Sequence, residues 1–227
     1  AARLLIGGRN LAGPGDAAVR FTLAIDGAPF QRWDTPPGFF LHVFEIPSGR
    51  LMGDAVGDGA LATVTVQSAP VSGTAPIPTA IEQFDVQDAG DFMWAYDTGW
   101  QEAEFSPDAG VWRWTSDRAT LRIVGPAQHL RVTMWIESPL RYFDEAPLVR
   151  ASAGSRELAV TTLAGSRDWS FDVPADALAA SGGAIAIETN RTFVPAERGG
   201  TADRRSLGLR VFAIRVSNLL TPTEVSR

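Results

Sequence analysis

Apolar residues recur at every second position along this chain, in short runs. Val19-Arg-Phe-Thr-Leu-Ala-Ile25, Leu130-Arg-Val-Thr-Met-Trp-Ile136 and Leu207-Gly-Leu-Arg-Val-Phe-Ala-Ile-Arg-Val216 alternate in this way, as do the shorter Leu61–Val66 and Ala184–Ile187. Successive side chains of an extended strand point to opposite faces, so such runs predict half-buried strands. Clusters of Gly, Pro, Asp and Ser punctuate them. Helical periodicity is confined to single turns at Ser48–Met52 and Ala175–Ala180. The pattern predicts an all-β chain.

The pattern also repeats. Gly27 precedes Pro47 by the same interval that separates Gly154 from Pro174. In that register Phe44-Glu-Ile-Pro-Ser-Gly-Arg-Leu51 matches Phe171-Asp-Val-Pro-Ala-Asp-Ala-Leu178. Each copy closes on a strand, Ala80–Val86 or Leu209–Val216. We expect two tandem antiparallel jelly-roll-like β-sandwich modules arising from an internal duplication, spanning residues 1–88 and 89–227. The second opens on a segment that the first lacks, and Arg3-Leu-Leu-Ile6 aligns with Ala119–Ile123.

Composition narrows the function. All 20 basic residues are Arg, set among 26 acids for a net charge of −6. A basic patch able to hold nucleic acid is absent. The Arg-only usage with abundant Ala and Gly points to a GC-rich bacterial genome. With no cysteine, disulfides and thiol chemistry are excluded. No apolar run nears the ~20 residues that span a bilayer. With no Met at position 1 and no secretory signal pattern, the chain is expected to be a mature or excised piece of something longer.

Gly99–Ile123 holds three of the seven tryptophans. Trp112 and Trp114 share one face of a strand, about 7 Å apart. They can stack on sugar rings or plug a sandwich core; Val111, Arg113 and Thr115 on the other face look solvated, so alternation places the indoles inside. Trp100, in a turn among polar residues, becomes the candidate exposed aromatic. Glu102 and Glu104 share a face if extended, and either clamp a hydroxylated ligand with Arg113 or Arg118 or form cross-strand ion pairs. Asp85, Asp88, Asp91 and Asp97 make an acidic linker or hold a structural calcium. With two histidines and no nucleophile elbow or phosphate loop, catalytic residues are not expected.

Several short motifs together form one more signal: GW-x-E at Gly99, Trp100 and Glu102; WRWT at Trp112–Thr115; and Pro195 followed by Asp203, Arg204, Arg205, Leu207 and Gly208. The set resembles the extracytoplasmic β-sandwich region, jelly-roll and carbohydrate-binding-module-like, of bacterial polytopic membrane glycosyltransferases. That resemblance implies a glycan or glycan-bearing substrate as partner, and a membrane-embedded portion of the same protein as another, with no insertion of this chain. It implies a periplasmic or cell-surface location. The expected function is non-catalytic carbohydrate recognition, with Trp100, Glu102, Glu104, Arg113, Trp114 and Arg118 as candidate ligand-binding residues. The alternatives are a structural or protein-interaction sandwich without ligand, and a jelly-roll glycan lyase or hydrolase.

Overall fold

The computed structural model describes residues 1–13, 15–51, 61–73 and 75–219. The chain is nearly all β, in four antiparallel sheets forming two sandwich-like units. They span Ala1–Ala95 and Tyr96–Arg227.

The first unit is built from β1 (Ala2–Asn10), β2 (Val19–Ile25), β3 (Ala28–Thr35), β4 (Gly38–Ile46), β5 (Val64–Pro70) and β6 (Thr79–Asp88). Its sheets have the orders β4-β1-β6 and β3-β2-β5. Val19, Phe21, Leu23 and Ile25 point from one sheet onto Leu4, Ile6, Phe40 and Ile46 of the other, as the alternation of β2 predicts. Strand pairing at the predicted Leu61–Val66 run begins at Val64. Residues 48–51 form a turn, and Met52 of the expected helical turn lies outside the described residues.

The division between units falls within β7 (Met93–Tyr96). It is followed by β8 (Trp100–Ser106), β9 (Gly110–Thr115), β10 (Arg118–Val124), β11 (Leu130–Glu137), β12 (Leu148–Ala153), β13 (Arg156–Thr162), β14 (Arg167–Val173), β15 (Ala184–Thr189) and β16 (Arg210–Asn218). One helical turn, α1 (Ala175–Ala180), follows β14 where it was predicted. The sheet orders are β13-β12-β15-β10-β7 and β14-β11-β16-β9-β8.

The topology carries the repeat further than the sequence does. β11 lies between β14 and β16 as β1 lies between β4 and β6, and β12 lies between β13 and β15 as β2 lies between β3 and β5. The register irregularities coincide as well. They fall at Leu23/Ala24 and Ala151/Ser152 in the hairpins, and at Gly7/Gly8 and Trp135/Ile136 in the central strands. The cross-strand ion pair Arg3–Glu45 recurs as Arg131–Asp172 at the same register. Strand β1 therefore corresponds to β11, which corrects the expected match of Arg3–Ile6 with Ala119–Ile123. That match failed because any two strands with an apolar face align in sequence; only pairing partners tell them apart. The opening segment of the second unit supplies β8 and β9 to one sheet and β10 to the other. Among the described residues, strands β5 and β6 of the first unit have no such additions.

Candidate functional site: an indole cleft on the second unit

The sheet β14-β11-β16-β9-β8 buries one face. Leu130, Val132, Met134 and Ile136 of β11, Trp169, Phe171 and Val173 of β14, and Val211 of β16 all point inward. The intervening residues must then face out. They are Trp135 and Glu137 on β11, Arg210 on β16, and Trp112 and Trp114 on β9; Phe212 joins them where the β11–β16 register shifts. Trp112 and Trp114 are therefore half-buried on the outer face, and the expectation that they plug the core is corrected. The inward positions of β9 hold Arg113 and Thr115 instead, both buried. Arg113 donates to the Gln101 carbonyl at 3.0 Å and lies 4.7 Å above the Tyr96 ring. The Thr115 hydroxyl accepts from the Leu209 amide at 2.9 Å. Partnered polar groups have displaced apolar ones at this sheet edge, so burial runs against hydropathy.

Trp100, expected to be exposed, is 3% exposed. Its Nε1 donates to the Thr120 carbonyl at 2.8 Å, and its ring meets Tyr96 edge-on at 4.9 Å. Gly99 makes this possible: its φ is +82°, and a Cβ there would lie 2.0 Å from the Arg118 carbonyl oxygen. The same burial raises the pKa of the Tyr96 hydroxyl, against a smaller opposing effect of Arg113.

One carboxylate organises the exposed indoles. Glu104 on β8 stands directly across from Trp112 on β9. Its Oε2 accepts from Trp112 Nε1 at 3.1 Å and from Trp114 Nε1 at 3.2 Å. Its Oε1 accepts from Arg205 Nη2 at 2.7 Å. Arg205 is itself forked onto Asp203, with contacts of 2.6 to 3.1 Å. That hydrogen bonding holds Asp203 below the usual carboxylate range and raises Arg205 further above its own. A chain of charge-assisted bonds thus fixes the rotamers of both indoles.

Next to them runs a row of stacked groups. The Arg210 guanidinium lies 3.9 Å from the Trp112 ring centre and 4.8 Å from that of Phe212. Phe212 stacks on Trp135 at 4.6 Å, and Trp135 stays 47% exposed. A cleft of about 550 Å³ opens beside the row, lined by Trp112, Trp114, Glu137, Ser138, Arg141 and Arg210 among others. A second hollow of about 230 Å³ shares Trp114, Pro139 and Arg141 with it and continues past Tyr142, Phe193 and Arg205. Two polar atoms at the larger cleft, Ser138 Oγ and Arg210 Nε, are buried without a hydrogen-bond partner among the described residues.

Of the six residues expected at a ligand site, the structure brings Glu104 and Trp114 together. Trp100 and Arg113 are interior. Arg118 lies on the other sheet, ion-paired with Glu188. Glu102 is exposed next to a bulge in the β8–β9 ladder. The carboxylate clamp expected with Arg113 or Arg118 is therefore corrected: the partner of Glu104 is Arg205, distant in sequence. Trp135, Phe212, Arg210 and Ser138 were not anticipated. The outward position of Trp135 was nonetheless legible, since Leu130, Val132, Met134 and Ile136 occupy the other phase of its strand. Of the acidic linker, Asp97 binds Arg122 at 2.7 Å. Among the described residues no group of three or more metal-ligating side chains assembles.

No protein-family model matches the chain, and no curated protein matches it. Among solved structures it is similar to the N-terminal CBM22-1–CBM22-2 tandem domain of Xyn10C from Paenibacillus barcinonensis. Sequence identity is 9%, with 96% of this chain and 78% of that one covered, at a TM-score of 0.31. A likeness this weak carries no residue or role across, and the cleft must be read from its own side chains. Trp114, Pro195, Asp203, Arg205 and Leu207, taken from separate sequence motifs, all line the smaller hollow. The equivalent face of the first unit has Gly7 in place of Trp135 and Ala80 in place of Arg210, and no counterpart of β9 among the described residues. No described helix is long and apolar enough to cross a membrane.

Proposed function

We propose that the chain is a non-catalytic carbohydrate-recognition module whose ligand lies in the cleft of the second unit. The observation that carries this reading is the pair of outward indoles, Trp112 and Trp114, held by the single Glu104 carboxylate beside the cleft. A sugar ring offers an apolar C–H face and a rim of hydroxyls. An immobilised indole meets the face, and neighbouring Arg, Glu and Ser groups meet the rim. Ordering the rings before binding lowers the entropic cost of capture. Glu104 spends both oxygens on Arg205 and the two indoles, so it is not placed as an acid, base or nucleophile; this supports recognition over hydrolysis or elimination.

The parent system in this reading is a bacterial cell-surface or membrane glycosyltransferase, with the module extracytoplasmic and accessory to a membrane-embedded portion of the same protein. The motif resemblance supports that placement. A protein-interaction role has one observation in its favour: Phe105 and Val111, directly paired across β8 and β9, are 69% and 57% exposed. The test is a glycan array probed with the wild-type chain and with Trp112→Ala and Trp114→Ala. Retention of one glycan class by the wild type and its loss in both variants is the expected outcome. A blank array with the folded wild type refutes the reading.

A further inference from the structure

Resting on the carbohydrate reading of the same cleft, we propose that its ligand carries a carboxylate, and that the cleft selects uronic-acid glycans over their neutral counterparts. The donors and acceptors at the cleft decide which ligand it fits. A neutral sugar hydroxyl both donates and accepts, so a site for neutral sugars needs acceptors as well as donors. A carboxylate only accepts, and its two coplanar oxygens match the fork of a guanidinium.

The larger cleft is rich in donors. Arg141 and Arg210 line it against one acid, Glu137. Glu137 receives Arg210 Nη1 at 3.4 Å, at the long limit of a hydrogen bond. Among the described residues Arg210 Nε has no acceptor, and the buried Ser138 Oγ has no partner. Arg141 is exposed; it donates to the Tyr142 hydroxyl at 3.0 Å and lies over that ring. It makes no ion pair among the described residues. The carboxylates of the adjoining hollow do not supply one. Glu104 and Asp203 are both committed to Arg205. Arg141, common to both hollows, is thus the one charged lining residue without a counterion among the described residues. An acceptor-only group entering the larger cleft would complete Arg141 and draw Arg210 toward a second partner. The planar fork favours a carboxylate, whereas a sulfate or phosphate ester would supply the same charge in tetrahedral form.

Titration calorimetry of the full chain against matched oligosaccharides tests this. The probes are oligogalacturonides and oligoglucuronides in the free-acid form, their methyl esters, their carboxyl-reduced neutral forms, and sulfated oligosaccharides. The acid form of at least one backbone is expected to bind about tenfold tighter than its ester and neutral forms, the equivalent of one charge-assisted contact. Arg141→Gln should erase that preference, and raising the salt concentration should narrow it. Equal or better binding of the esters and neutral forms overturns the inference and leaves carbohydrate recognition standing. Preference for the sulfated probes overturns the carboxylate assignment alone. Failure of every probe overturns the carboxylate assignment, and a blank glycan array besides overturns carbohydrate recognition as well.

Discussion

Replacing Glu104 with alanine removes the acceptor shared by both cleft indoles and one of the two ion-pair partners of Arg205, Asp203 being the other. Side chains of Glu104 and Arg205 keep 32% and 37% of their area exposed. The ion pair is therefore screened and contributes about 0.5 kcal/mol. Each indole N–H bond to the carboxylate contributes about 1 kcal/mol net. The expected loss is about 2.5 kcal/mol, which lowers Tm by about 5–10 °C in a chain of this size. Differential scanning calorimetry measures it, and near-UV circular dichroism reports the ordering of the rings. The decisive comparison is a cycle against Trp112→Phe/Trp114→Phe, which removes both donors and keeps the aromatic area. In that background Glu104→Ala should cost only the residual ion pair, about 0.5 kcal/mol. An equal cost in both backgrounds would show that the carboxylate does not act through the indoles, and the clamp would have to be abandoned.

Other consequences follow from burial and from proton linkage. Trp100→Ala should cost about 3–5 kcal/mol as a core cavity, while Trp114→Ala at the cleft wall costs under about half of that; chemical denaturation separates them. Gly99→Ala forces a Cβ to within 2.0 Å of a carbonyl oxygen at φ +82°, whereas Gly110→Ala at φ +73° meets nothing within 4 Å. The first should lose at least about 3 kcal/mol and the second about 1, read from melting temperatures. His42 packs against Trp33 at 5.0 Å and Phe44 at 5.8 Å, and burial lowers its pKa. The unfolded chain therefore takes up this proton first, so stability falls as pH drops below about 6.5, and His42→Phe should flatten that part of the pH profile. Asp203, lowered by Arg205, contributes stability above the ordinary carboxylate pKa that is lost as pH falls through its folded value; Asp203→Asn should remove that acid-side contribution.

Much of the fold was legible because β2 and β11 alternate cleanly over apolar inner faces. The duplication was legible through the Phe44 and Phe171 motifs, yet its extent required the pairing partners of β1 and β11. The site was harder to read. Alternation on β9 gave the phase of its side chains but not its sign: Arg113 and Thr115 look solvated in sequence, and tertiary partners bury them. Trp100 misled for the converse reason, since the polar residues flanking it in sequence point elsewhere. The contact of Glu104 with Arg205 spans most of the second unit, a separation that no local pattern encodes. The outward phase of Trp135, by contrast, was available from its strand, whereas Phe212 shares the phase of Ile214 and Val216 and faces out only because the ladder is irregular there.

The central claim is that sugar meets the indoles of Trp112 and Trp114 rather than the buried Trp100. Each of the seven tryptophans carries one indole N–H, and nitrogen-15 NMR during titration with a glycan retained on the array follows these groups, each assigned by substitution. The Trp112 and Trp114 signals should shift together in a saturable way while the Trp100 signal stays fixed. Saturable binding that moves Trp100, or leaves Trp112 and Trp114 unmoved, would contradict it.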